Sequence, residues 1–323
     1  MKEFHIAKND SGQRLNKFLE KAVPRLPGGM MHKYCRLKRI KLNGKRAEPS
    51  CCLQEGDVLQ LYINDEFFSV PDGAQAFRTI AQPRVSVLYE DENILLADKA
   101  PGMVVHTDDR GDTDTLIAHI QAHLYQSGAW DPDDELSFVP ALCNRIDRGT
   151  GGIVIAAKTA EALRVLNGKI KNRELSKKYL CIVHGHPSPA SGRMDGFLRK
   201  DEKLGLVTVH KTRVPGAKTA VTLYRTLAVR DGLALVECEL ITGRTHQIRA
   251  HMAAAGHPLL GDGKYGLNEL NRKFGEKSQA LYSYKLRFDF TTDSGGLAYL
   301  NGRAFTVRAV PFVQKYFPGY RIP

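Results

Sequence analysis

Two runs, KTAVTLYRTLAVR (218–230) and LALVECELIT (233–242), alternate or run apolar and are separated only by Asp231-Gly232. Asp and Gly tolerate the positive φ that a tight hairpin turn requires, so the pair reads as an antiparallel hairpin. Other β-like stretches surround it. VSVLYEDENILLADKAPGMVVH, from Val85, gives two apolar runs broken by EDEN and a Pro-Gly turn; IVIAAK (153–158), KKYLCIVHG (177–185), LYSYKLRFDF (281–290) and AFTVRAV (304–310) follow. Two helices stand out. TAEALRVLNGKIKN (159–172) has Thr159 as N-cap and Leu163, Leu166 and Ile170 on one face. THQIRAHMAAAGHP (245–258) aligns Ile248, Met252 and Ala255, with Gly256 as the stop and Pro258 beyond it. Long strands joined as hairpins, with few helices between them, predict an α+β fold built on a mainly antiparallel mixed sheet.

The first 66 residues read differently. GQRLNKFLEKAVPRL (12–26) places Leu15, Phe18, Leu19 and Val23 on one helical face. IKLNGKRA (40–47) reads as strand, Asn-Gly turn, strand, and LQEGDVLQLYI (53–63) as a turn and a further strand. Residues 30–50 hold seven basic side chains (Lys33, Arg36, Lys38, Arg39, Lys41, Lys45 and Arg46) against one acid, Glu48. The expected organisation is a small basic α/β domain over 1–66, a linker over 67–84 (Pro- and Gly-containing, without periodicity) and a catalytic domain over 85–323. The whole chain of 323 residues has 47 Lys plus Arg against 35 acids, a formal charge of +12. That balance favours a polyanionic partner, RNA above all. Lys33, Arg36, Lys38, Arg39 and Lys41 are the candidate contacts, a solvated basic surface being the plainer alternative.

Composition narrows the remaining classes. No apolar run approaches the ~20 residues needed to cross a bilayer, and MKEFHIAKNDSGQR lacks the apolar segment of a secretory signal, so a cytoplasmic protein is expected. Six cysteines occur without a Cys-x-x-Cys pair and read as reduced thiols. RGTGG (148–152) leads into a β-like run, whereas a phosphate loop leads into a helix, which argues against a dinucleotide site. His246, His251 and His257 lie near Asp262, but five residues separate the first two, so they leave different faces of a helix and no metal site is expected. Within NRIDRGTGGIVIAAK (144–158) a single acid, Asp147, sits between Arg145 and Arg148. In an extended segment Arg145 and Asp147 project to the same side. The acid is either half of a structural ion pair, or a nucleophile or general base kept ionised by neighbouring cations.

NRIDRGTGGIVIAAK, KKYLCIVHG and TGRTHQIRAHMAAAGHPLLGDGKYG resemble, in order, the three signature blocks of the RNA pseudouridine synthases of the Rlu family, and VLYEDENILLADKAPGMVVH resembles that family's opening strand pair. The basic N-terminal module resembles the small RNA-binding domain those enzymes share with a ribosomal small-subunit protein. The resemblance implies an isomerase that detaches uracil from its sugar, turns it and rejoins it through carbon 5, in a reaction without net redox change that needs no cofactor or metal. It implies that Asp147 is the catalytic aspartate, attacking the sugar or removing a sugar proton. It implies that Tyr179 packs on the base and assists at carbon 5, that Arg249 pairs with the aspartate, and that Arg145 helps displace the base. Arg244 and His246, in the third block, join the expected RNA contacts. A monomer acting on large-subunit ribosomal RNA is expected, with transfer RNA as the alternative substrate and a non-catalytic assembly factor as the alternative role. The chain departs from the family pattern at Asn144 (usually His), Gly149 (often Asp), Gly151 (often Ser) and Ala100-Pro101 (often Pro-Ala).

Overall fold

The computed structural model describes residues 1–69, 76–107, 112–266, 268–276 and 278–323. The N-terminal part comprises β1 (Lys2–His5), α1 (Leu15–Ala22), α2 (Gly28–Arg36), β2 (Ile40–Leu42), β3 (Lys45–Arg46) and β4 (Val58–Leu61). Its antiparallel sheet has the order β1-β4-β2-β3. The helical face read from the sequence is the buried one: Leu15, Phe18, Leu19 and Val23 are fully covered and pack with Ile40, Leu59 and Leu61. Asn43 and Gly44 both take positive φ (50° and 74°), which closes the β2–β3 turn.

The rest of the chain supplies β5 (Val87–Glu90), β6 (Ile94–Lys99), α3 (Leu116–Gln126), β7 (Ala141–Leu142), β8 (Gly151–Ala157), α4 (Ala160–Lys171), β9 (Leu175–His184), β10 (Ser191–Asp201), β11 (Leu206–His210), β12 (Lys218–Arg230), β13 (Leu233–Leu240), α5 (Gln247–Ala254), α6 (Asn268–Phe274), β14 (Leu281–Phe288), β15 (Ala304–Thr306) and α7 (Pro311–Tyr316). These strands form one 11-stranded sheet in the order β11-β10-β12-β13-β9-β14-β8-β6-β5, with β15 against β14 and β7 against β8. The architecture is α+β and mostly antiparallel. The β12–β13 hairpin turns through Asp231 and Gly232 at φ 50° and 75°. β8 is buried on both faces, which is why it reads as a continuous apolar run rather than an alternating one. Ile153 and Ile155 face α4, while Val154 and Ala156 face α3. α5 covers β9 and β13 through Ile248 and Met252.

Among the described residues, the single parallel pairing between strands is β14 with β8, and it spans only Tyr282↔Gly151 and Ser283↔Gly152. It joins the two halves of the sheet. A side chain at Gly151 would run into the Tyr282 ring, and one at Gly152 (φ 109°) into the Ser283 carbonyl. The glycines of RGTGG thus serve a close approach of protein to protein, and the departure at Gly151 follows from the Tyr282 ring beside it.

Several elements differ from the expectation. Helix α5 starts at Gln247 rather than Thr245, because Gln247 Oε1 accepts from Thr242 Oγ1 (2.9 Å) and Arg244 N (3.0 Å), holding residues 242–246 in a loop. The stretch 67–84 is more than a connector: Phe67 belongs to the N-terminal core, and Phe77 packs at 5.1 Å between ring centroids on Trp130 in the core beneath α3. Its segment 70–75 lies outside the described residues. The N-terminal part meets the rest through polar contacts: Asn9 Nδ2 to Glu135 Oε1 (2.6 Å), Ser137 Oγ to Asp10 Oδ1 (2.6 Å), Gln13 Nε2 to Ser137 Oγ (2.8 Å) and Arg164 Nη1 to Ser11 O (3.0 Å). Among the described residues, Leu136 is the one apolar side chain from beyond residue 68 that packs on the N-terminal core.

The β8–β14 seam can be tested directly. Gly152→Ala should lower stability by about 3 kcal/mol or more, from a strained left-handed backbone together with overpacking against Ser283. The urea midpoint reads this out, and a wild-type midpoint would mean that the seam yields without cost.

Candidate active site

Asp147 sits in the loop between β7 and β8. Strand β8 anchors that loop: Cys143 N donates to Ile155 O (2.8 Å), and Ile155 N donates to Asn144 Oδ1 (2.8 Å). The amide side chain at Asn144 therefore takes over an edge contact of the strand, which accounts for Asn at this departure. Ile146 packs into the cores beneath both α3 and α5 and fixes the loop over the sheet. Lys99 Nζ, buried, donates to the carbonyls of Ala100 (3.0 Å), Met103 (2.9 Å) and Arg148 (3.1 Å), tying two loops together. Burial pulls this ammonium down to about 8, against the attraction of Asp147.

The flanking arginines do not hold Asp147. Arg148 Nε donates to Gly102 O (3.1 Å) and its Nη2 to Asp112 (3.3 Å). Arg145 is exposed and has no hydrogen-bonded partner among the described residues. The loop is irregular, so neighbours in sequence are not neighbours in space. The cation on Asp147 comes instead from 102 residues away: Arg249 Nη1 donates to Asp147 Oδ2 at 2.9 Å. Arg249 is 5% exposed and is gripped from behind by Asp262, whose Oδ2 accepts from Nε (2.7 Å) and whose Oδ1 accepts from Nη2 (2.8 Å). Asp262 Oδ1 also accepts from the amides of Lys264 (2.9 Å) and Tyr265 (3.1 Å). Burial pushes the Asp262 carboxyl up, and these donors, Arg249 first, bring it below the ordinary range. The fork geometry suits a guanidinium, and a lysine could not reproduce it.

Tyr179, on β9, lies opposite Ser283 of β14, at the seam. Burial pushes its phenol up to about 12; a hydrogen bond with Ser283 opposes this, and the charge of Asp147 adds to it. The hydroxyl therefore keeps its proton at neutral pH. His246 starts α5 with its Nε2 3.8 Å from Asp147 Oδ2 and its Nδ1 2.9 Å from the hydroxyl of Tyr265, whose ring lies 5.1 Å from the Arg249 guanidinium. His251 and His257 go elsewhere, Nδ1 of the first to Thr222 Oγ1 (2.9 Å) and of the second to the carbonyl of His184 (3.0 Å). Arg244 Nε donates to Thr219 O (3.0 Å) beside the loop entering α5.

Asp147, Tyr179, Arg249 and His246 thus converge. Lys33 and Arg36, exposed on α2, and Lys38 and Arg39 after it form a separate basic surface with half-buried Lys41. Arg39 lies 5.5 Å from the Tyr34 ring and Lys41 Nζ 5.2 Å from the Tyr62 ring. Among the described residues, none of these five has a carboxylate partner. Asp262, Tyr265 and Lys99 were missed as functional residues. Asp262 entered only as a metal ligand to be discounted, and GDGKYG reads as a turn.

A carboxylate 28% exposed, bonded to a buried arginine at the junction of two sheet halves and within the field of a neutral phenol, has the make-up of a candidate acid–base or nucleophilic site. The profile of the RNA pseudouridylate synthase family matches residues 93–254. An uncharacterized RNA pseudouridine synthase of Mycoplasma genitalium is 32% identical over 294 residues, 88% of each chain. Ribosomal large subunit pseudouridine synthase D of Zymomonas mobilis is 34% identical over 292 residues, 86% of each chain, and synthase C of Escherichia coli is 28% identical, covering 85% of this chain and 83% of that one. Human RNA pseudouridylate synthase domain containing 4 shares the fold, with a TM-score of 0.55 at 22% identity over 70% of this chain and 89% of that one. The chain belongs to the RNA pseudouridylate synthase family, enzymes that isomerise uridine within RNA.

Asp262→Asn leaves Arg249 buried with half its grip gone and should cost about 3–5 kcal/mol in urea unfolding. Because the folded carboxyl lies below its unfolded value near 4, its contribution is complete above that pH and is lost as pH falls. The variant should therefore show a flatter loss of stability below about pH 4. A cost under about 1 kcal/mol would refute the grip.

Proposed function

We propose that this enzyme converts uridines of large-subunit ribosomal RNA to pseudouridine, with Asp147 as the catalytic carboxylate. The observation that carries the reading is the Asp147–Arg249 contact, which leaves the carboxylate part-open to solvent while its cation stays buried. In the isomerisation the bond from uracil N1 to the sugar breaks, a bond from carbon 5 to the sugar forms, the carbon-5 proton leaves to solvent, and N1 takes up a proton from solvent, so that the composition is unchanged. Asp147 starts it as a nucleophile on the sugar or as a base. The target nucleotide must leave its stack to reach this carboxylate. Arg145, exposed and two residues before Asp147 in the same loop, fills the vacated position. Tyr179, protonated in the resting site, packs on the base and assists proton transfer at carbon 5. Ribosomal RNA is the substrate favoured by the large-subunit synthases among the relatives. The N-terminal surface of Lys33, Arg36, Lys38, Arg39 and Lys41 supplies affinity by neutralising phosphates, joined near the site by Arg244 and His246.

Asp147→Asn is nearly isosteric and removes the anion. Tritium release from carbon-5-labelled RNA should fall to background while RNA binding and fold persist. Activity within about tenfold of wild type, about 1.4 kcal/mol in barrier, would remove Asp147 from the chemistry.

Replacing Lys33, Arg36, Lys38, Arg39 and Lys41 together by Ala should weaken RNA binding and raise KM, with kcat kept at saturating RNA. Each phosphate contact contributes about 0.7 to the slope of log affinity against log salt on single strands, so the slope should flatten by about 2–3.5. An unchanged slope would assign this surface to solvent or to another protein.

A further inference from the structure

Resting on the reading of Asp147 as the catalytic carboxylate, we infer that Tyr265 is a positioning residue that sets the tautomer of His246, turning the imidazole Nε2–H toward Asp147 and holding the ring neutral. The chain of donors carries this. Val207 N donates to the Tyr265 hydroxyl oxygen at 2.7 Å, occupying its acceptor position. The contact from that oxygen to His246 Nδ1, at 2.9 Å, is then closed by the phenol proton, and Nδ1 is the acceptor. The one ring proton of a neutral imidazole consequently lies on Nε2, the atom 3.8 Å from Asp147 Oδ2. The backbone is committed to the same end: His246 stands in the left-handed region at φ 52°, where a non-glycine residue is uncommon. The Tyr265 ring itself packs edge-on to His246, with centroids 5.6 Å apart.

The charged groups facing His246 come from three places: Asp147 from the β7–β8 loop, Arg249 from α5, and Asp262 and Lys264 from the turn after it. Burial disfavours the imidazolium most, Arg249 and Lys264 act with it, and the two carboxylates act against it. A neutral ring matters for the chemistry. An imidazolium at this distance would add a second full positive charge beside Asp147 and make the carboxylate a weaker base and nucleophile. A neutral Nε2–H can give one hydrogen bond to the carboxylate or to a bound nucleotide while Arg249 remains the cation hydrogen-bonded to Asp147.

The test uses the full chain without RNA, labelled with ¹⁵N, the His246 signals being identified by their loss in His246→Gln. In the wild type, Nδ1 should show the shift of an unprotonated ring nitrogen at neutral pH and Nε2 that of a protonated one. A protonated Nδ1 overturns the proposal with no variant needed. Tyr265→Phe keeps the ring over Arg249 and removes the donor. The His246 titration midpoint should then rise by about 0.5–1 pH unit, the size of one lost hydrogen bond. The acid limb of kcat should move up with it, while KM for RNA stays within twofold. A purely structural tyrosine would leave both midpoints where they were, and that result would also overturn the proposal. Failure of the Asp147 reading shows separately, as turnover by Asp147→Asn, and leaves the RNA-free ¹⁵N result unaffected.

Discussion

The catalytic half of this protein depends on one short junction, the two-residue parallel pairing of β14 with β8. On one side lie β9, β13, β12, β10 and β11; on the other lie β6 and β5. Neither half contains the whole site. Asp147 enters four residues before β8, whereas Tyr179 and Arg249 belong to the opposite half. Two glycines let the backbones approach closely enough for hydrogen bonds, and that approach places the Asp147 loop against α5. Stability and site geometry share the same atoms here, so a side chain at Gly152 would disturb both without touching a nucleotide.

Electrostatics at the junction are arranged in depth. Asp262 is fully buried, Arg249 nearly so, and Asp147 reaches the surface. One guanidinium between two carboxylates leaves the trio with a net charge of −1 when His246 is neutral. Such a site would repel phosphates by itself. A polyanion bound here would need cations from elsewhere on the chain, whose formal charge is +12. The buried pair contributes little net stability over an apolar replacement, but once built it cannot lose one member cheaply.

The sequence disclosed the elements whose own residues carry a period. The β12–β13 hairpin, β8, α1 and α4 were legible because one or both faces are buried and a turn residue or N-cap marks an end; Thr159 Oγ1 does accept from Ala162 N, at 3.1 Å. Strand β10 was not. Its exposed residues, among them Arg199, Lys200 and Asp201, give no apolar alternation, and it is a strand because β11 and β12 pair with it. Helix α3 was obscured by His119, a buried polar group in its apolar stripe that is satisfied by Asp114 at 2.7 Å. At the site, the resemblance singled out Asp147, Tyr179 and Arg249. Which cation holds Asp147 was invisible locally, since the flanking arginines are nearer in sequence and the partner is nearer in space. Asp262 and Tyr265 touch Arg249 and His246, contacts that exist only once the turn after α5 has folded back.

The boundary between the N-terminal sheet and the rest has a thermodynamic corollary. Asn9, Asp10, Gln13 and Ser11 meet Glu135, Ser137 and Arg164 there, and among the described residues Leu136 is the one apolar link across it. The heat capacity of a transition tracks the apolar surface it exposes, and polar surface lowers it. Parting these two pieces hydrates mostly amides, hydroxyls and charges. Calorimetry would therefore be nearly blind to their separation, and a single sharp endotherm would be no proof that they move as one body. Distance measurements across Asn9 and Glu135 would be the sensitive observable.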